Sequence, residues 1–101
     1  SSKATLIHDL YNAIQKRQFT LFYQKQIDQH GRVVGVEALL RWFHPEKGMI
    51  SPAQFIPLTE ETGLIVPIGD WILQQACETL ANWAKQPVTK NLRVAVNISG
   101  V

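Results

Sequence analysis

The chain has 101 residues, 46% of them hydrophobic and 18% charged, with a formal net charge of +2. This is the balance of a globular domain with material for one core, and the small, scattered positive charge excludes a surface for a nucleic-acid polymer. No apolar run approaches the ~20 residues of a membrane span, and the single cysteine, Cys77, excludes an internal disulfide and suits the cytoplasm.

From Ser2 to about Arg17, Leu6, Ile7, Leu10, Ala13 and Ile14 recur at helical spacing, with Ser2 placed as N-cap. The run FTLFYQKQI, Phe19 to Ile27, is rich in aromatic and β-branched residues and predicts a strand. Asp28-Gln29-His30-Gly31 is turn chemistry, and Arg32 to Phe43 predicts a second strand, so the pair forms an antiparallel hairpin.

His44-Pro45 ends that strand, and Glu46-Lys47-Gly48 is a loop. Ser51-Pro52 opens a helix that Pro57 keeps short or kinked and Gly63 terminates. A longer helix starts at Pro67 and reaches about Lys85, with Ile68, Ile72, Ala76, Leu80 and Trp83 along its core stripe. Cys77 reads there as a small buried apolar side chain. Leu92 to Ser99 predicts a third strand, which a helical crossover makes parallel to the second. The fold class is therefore α/β, opening with an antiparallel strand. The chain starts Ser1-Ser2 and stops at Gly100-Val101 after a strand-like run, so residues 1–101 are expected to be a piece of a longer protein that holds the opening of an α/β domain.

Strand alternation turns this order into chemistry. In GVEALLRW, Gly35, Glu37, Leu39 and Arg41 share one face, while Val36, Ala38, Leu40 and Trp42 share the other. In the third strand Arg93, Ala95, Asn97 and Ser99 lie together, opposite Val94, Val96 and Ile98. If Asp28 pairs with Gly31, Gln24 stands opposite Gly35, diagonal to Glu37 and on its face. Gln24, Glu37, Arg41 and Asn97 then converge on one surface. Carboxylate and amide oxygens suit Mg²⁺, Mn²⁺ or Ca²⁺, and an arginine fork suits phosphate. The plainer alternative is an intrastrand ion pair between Glu37 and Arg41, and spacing alone leaves it ahead.

The residues also resemble a known family, the EAL domain, the cyclic-di-GMP phosphodiesterase module of bacterial signalling proteins. The likeness runs through Tyr23-Gln24, EALLRW at Glu37 to Trp42, SPAQFIPLTEETGLI at Ser51 to Ile65, GDWILQQACETLANW at Gly69 to Trp83 and VNIS at Val96 to Ser99. It implies an incomplete TIM-like (β/α) barrel whose first strand is antiparallel. It also implies that Glu37 and Asn97 bind a catalytic Mg²⁺ or Mn²⁺ and that Arg41 grips a phosphate of cyclic-di-GMP. Gln24 and Leu39 would contact the same substrate, and water would open one phosphodiester to give the linear dinucleotide.

Two departures from the family pattern stand out. Lys25 occupies the place of the usual proline after Tyr-Gln, on the face away from the site. The later acids and the lysine of the family's site are not within these residues, so the chain alone is expected to be inactive. The alternative is a non-catalytic module that binds cyclic-di-GMP or a protein partner. An unclosed barrel also leaves a strand edge that invites self-association.

Weaker signals have plainer readings. Glu60-Glu61 is a solvated helix end, the histidines at 8, 30 and 44 are too dispersed to form a ligand set, and Trp42, Trp71 and Trp83 are core rather than a stacking platform.

Overall fold

A computed structural model describes residues 2–96. Helix α1 (Lys3–Gln15) starts where the Ser2 hydroxyl accepts the Thr5 amide at 3.2 Å, and it buries Leu6, Leu10 and Ala13. It ends on a residue of unusual conformation: Arg17 takes a left-handed φ of 56°, while the Gln18 amide reaches back to the Ala13 carbonyl at 3.1 Å.

Strands β1 (Phe19–Ile27) and β2 (Val33–His44) form the expected antiparallel hairpin. The Asp28 carboxylate accepts the amides of His30 and Arg32 at 2.8 and 3.0 Å, and Gly31 takes φ 75°. The register differs from expectation. Asp28 bonds Arg32 across the turn, and a bulge follows between Gln26 and Ile27, so Gln24 pairs with Glu37 and Phe22 with Leu39. The slip is two residues, which keeps every side chain on its expected face.

Strand β3 (Gly48–Ile50) is an addition that begins at the last residue of the loop expected at Glu46-Lys47-Gly48. It pairs antiparallel with the end of β2, Trp42 opposite Ile50. Three residues carry too little periodicity to be seen in sequence. Helix α2 (Pro52–Thr62) runs through Pro57, because Phe55, Ile56, Leu58 and Thr59 are all buried against the core. Gly63 ends it at φ 80°.

Helix α3 spans Ile65–Trp83, two residues earlier at each end than expected. Pro67 sits in its first turn, where no amide is needed. Ile68, Ile72 and Ala76 are buried, Leu80 and Trp83 half-buried, and Cys77 is exposed, contrary to its expected burial. It sits one position past the buried Ala76, so the helical turn carries it off the core stripe.

Strand β4 (Val94–Val96) starts two residues later than the expected Leu92–Ser99, whose last residues lie outside the described range, and it pairs in parallel with β2. Both β3 and β4 lie along the edge of β2 away from β1, and the sheet is open. One sheet face is buried under the helices. Trp42, Leu40, Phe19 and Ile50 pack there with Leu10, Phe55, Ile56, Ile68 and Ile72. Trp42 is fully buried and donates its indole N–H to Gln18 Oε1 at 3.0 Å. Trp71 packs partly buried against the same core, and Trp83 meets Tyr23 at 5.4 Å between ring centroids.

Candidate functional site

The opposite sheet face carries the polar residues. The register of β1, β2 and β4 places Gln24 directly across from Glu37, Leu39 across from Phe22, Arg41 across from Thr20 and Ala95 beside Glu37. Directly opposed residues have Cβ atoms about 5 Å apart, so the amide of Gln24 and the carboxylate of Glu37 are neighbours. Tyr23 and Lys25, between and beyond these positions, face the other way. Tyr23 shares a hydrogen bond with Thr79 Oγ1 of α3 at 2.9 Å.

Gly35 begins this polar row for a steric reason. A Cβ there would lie 3.2 Å from Gln26 Oε1 and 3.3 Å from the Arg93 carbonyl oxygen. The bare backbone lets β4 close on β2, where the Val36 amide donates to that same carbonyl at 2.8 Å.

Glu37 and Arg41 do not form the ion pair that spacing favoured. Among the described residues the ion pairs are Lys3–Glu61, Arg32–Asp28 and the contacts of Asp9 with His44 and Lys47. Two strand residues four apart are about 13 Å from each other along the strand, beyond the reach of a relaxed pair. Glu37 is half-buried, and no ion pair or side-chain hydrogen bond among the described residues involves it. Arg41 turns instead along the sheet, where its Nη1 donates to the Leu40 carbonyl at 3.2 Å and its guanidinium carbon lies 5.8 Å from the centre of the Phe22 ring.

Asn97, the remaining expected site residue, lies outside the described residues. Among the described residues no three His, Cys, Asp or Glu side chains are grouped so that they could hold a metal ion. A hard divalent cation takes about six oxygens, commonly one or two carboxylates with waters and phosphate oxygens. Glu37 fits one such ligand position, and the described part of this face supplies no second carboxylate. Glu60 and Glu61 are exposed, and Glu61 pairs with Lys3 Nζ at 2.8 Å, a solvated helix end.

A second polar cluster, away from this face, escaped the sequence reading. His44 Nδ1 accepts the backbone amides of Glu46 and Lys47, each at 3.1 Å, which closes the β2–β3 turn. With Nδ1 accepting, the neutral ring carries its hydrogen on Nε2, which lies 3.2 Å from Asp9 Oδ2. Lys47 Nζ donates to the same oxygen at 2.9 Å. That hydrogen bond, with the charge of Lys47 and that of the His44 ring in its protonated form adding to it against burial, holds the Asp9 carboxyl below its ordinary 3.8. Asp9 and His44 are 35 positions apart in the sequence, and no local pattern announces their meeting.

An open α/β sheet, entered by an antiparallel hairpin and continued through a helical crossover to a parallel strand, is the opening of a TIM-like barrel. In such barrels the helices cover the outer face, the other face lines the interior, and catalytic residues come from the C-terminal ends of the strands. The family model for the EAL domain matches residues 7–101, and the chain belongs to the EAL domain family. It is 47% identical over 97 residues to the bifunctional diguanylate cyclase/cyclic di-GMP phosphodiesterase MucR of Pseudomonas aeruginosa, covering 95% of this chain and 14% of that protein. It is 44% identical over 91 residues to the cyclic di-GMP phosphodiesterase PdeR of Escherichia coli, covering 90% of this chain and 14% of that protein. The solved complex of the PaMucR phosphodiesterase with c-di-GMP superposes with a TM-score of 0.86 at 47% identity, over 92% of this chain and 38% of that one. The chain thus spans about one seventh of the length of these two curated relatives.

Proposed function

We propose that this chain is the N-terminal portion of a metal-dependent phosphodiesterase domain that hydrolyses cyclic-di-GMP to the linear dinucleotide. The observation that carries the reading is the alignment of Gln24, Glu37, Leu39 and Arg41 on one uncovered face, with the Glu37 carboxylate unpaired among the described residues. A carboxylate at this position can serve as one of the oxygen ligands that a hard divalent cation takes. In this reading Glu37 is a ligand to Mg²⁺ or Mn²⁺, and Asn97 a second one. Such an ion, when bound, polarises the phosphoryl oxygens and activates water. Arg41 binds a phosphate through its planar fork of donors, Gln24 donates or accepts beside the same phosphate, and Leu39 packs on the ligand. With one carboxylate on the described face, the chain by itself supplies part of a site and does not turn over substrate.

The test exploits the match to MucR. The chain alone, and a hybrid in which it replaces its matched segment of the MucR phosphodiesterase domain, are assayed with cyclic-di-GMP and Mn²⁺ by chromatography of the products. The chain alone shows no turnover above a Glu37→Ala control. The hybrid hydrolyses cyclic-di-GMP, and Glu37→Ala lowers its rate about a hundredfold or more, the loss of several kcal/mol of charge stabilisation. A folded hybrid that is inactive but binds cyclic-di-GMP would replace this reading with that of a non-catalytic receptor module.

A further inference from the structure

The proposed ligand face carries two aromatic residues that neither the core nor the expected site uses. Phe22 is 47% exposed and Phe43 41% exposed, and their ring centroids are 5.9 Å apart across β1 and β2. Both stand on the face of Arg41, since Phe22 pairs with Leu39 and Phe43 follows Arg41 by two. The guanidinium carbon of Arg41 lies 5.8 Å from the Phe22 ring centre, within cation–π range, and Nη1 is tethered to the Leu40 carbonyl at 3.2 Å.

We propose that Phe22, steadied by Phe43, is a positioning residue that holds the Arg41 guanidinium ready for a ligand phosphate. Arginine has a long side chain and loses much rotamer freedom when it grips an anion. A ring beneath the guanidinium and a carbonyl at one nitrogen fix its plane before the anion arrives, which lowers the cost of binding. One of the five N–H donors is used at Leu40, and the rest of the fork remains to be offered. Ring contact leaves the edge of the fork open, because a cation–π partner engages its face and a phosphate its edge. The proposal rests on the reading of Arg41 as a phosphate ligand.

The test keeps the two ideas separable. Arg41 Nε–Hε is followed by NMR in the 101-residue chain, in Phe22→Leu and in Phe22→Tyr, without ligand and during titration with cyclic-di-GMP. In the free chain the ring shields this proton. The shielding persists in Phe22→Tyr and vanishes in Phe22→Leu, while the rest of the amide spectrum is unchanged. Cyclic-di-GMP binds Phe22→Leu about three- to tenfold more weakly and Phe22→Tyr within about twofold of the unsubstituted chain. In an Arg41→Ala background Phe22→Leu has no further effect. Shielding that survives Phe22→Leu overturns the proposal, as does an equal loss in affinity with and without Arg41, which would mark a direct ligand contact instead. If the unsubstituted chain, which supplies only part of the site, gives no saturable response, the titration is repeated in the MucR hybrid. No response there overturns the ligand reading itself, and the shielding then decides the Phe22–Arg41 contact on its own.

Discussion

The Asp9 cluster makes a prediction that can be worked through. Asp9→Asn keeps the shape of the side chain and one acceptor oxygen but removes the charge that Lys47 and His44 face at 2.9 and 3.2 Å. A hydrogen bond to a charged group contributes about 1.5–3 kcal/mol when shielded. The Lys47 side chain is 34% exposed and that of Asp9 17%, so solvent screening moves the expected loss to about 1 kcal/mol. For a domain of this size that lowers Tm by about 4 °C or more.

The sign with pH follows from the depressed carboxyl. Its folded-state value lies below the ordinary 3.8, so the contribution is fully present above that value and disappears as the pH falls through the folded-state value. Urea unfolding of both proteins, followed by circular dichroism at pH 7 and at pH 2, checks this. The Asp9→Asn deficit should be present at pH 7, shrink in high salt and be smaller at pH 2 than at pH 7. A deficit equal at both pH values, or none at pH 7, would refute the electrostatic account of how α1 is tied to the β2–β3 turn.

Two further substitutions test the fold. Arg17→Gly relieves a left-handed φ of 56° at the end of α1 and should stabilise the chain by up to about 1 kcal/mol, read as a higher urea midpoint with unchanged slope. Trp42→Ala empties a fully buried site and leaves Gln18 Oε1 without its donor, so a loss of about 3–5 kcal/mol is expected in the same assay, enough to unfold much of the chain near room temperature.

How much could be read in advance differs by element. Strand β1 was legible to its last residue, because aromatic and β-branched residues fill it and turn residues bound it. Ser2, Gly63 and the alternation in β2 were legible for the same reason: each states a local requirement of the backbone. The exposure of Cys77, the start of α3 at Ile65 and the short strand β3 were not, since packing against the core decides them over propensity.

The site divides along the same line. A strand has a side-chain period of two, so sequence alone determined that Gly35, Glu37, Leu39 and Arg41 share one face and Tyr23 and Lys25 the other. The two-residue slip in register left that face intact while moving Gln24 from a diagonal position to one directly opposite Glu37. Only the tertiary structure decided where the charges go. It set Arg41 over Phe22 instead of beside Glu37, and it brought Asp9 to His44 and Lys47 across the fold. Periodicity orders the faces of one strand, whereas the partner of a charged group depends on distances between strands and helices that no local pattern encodes.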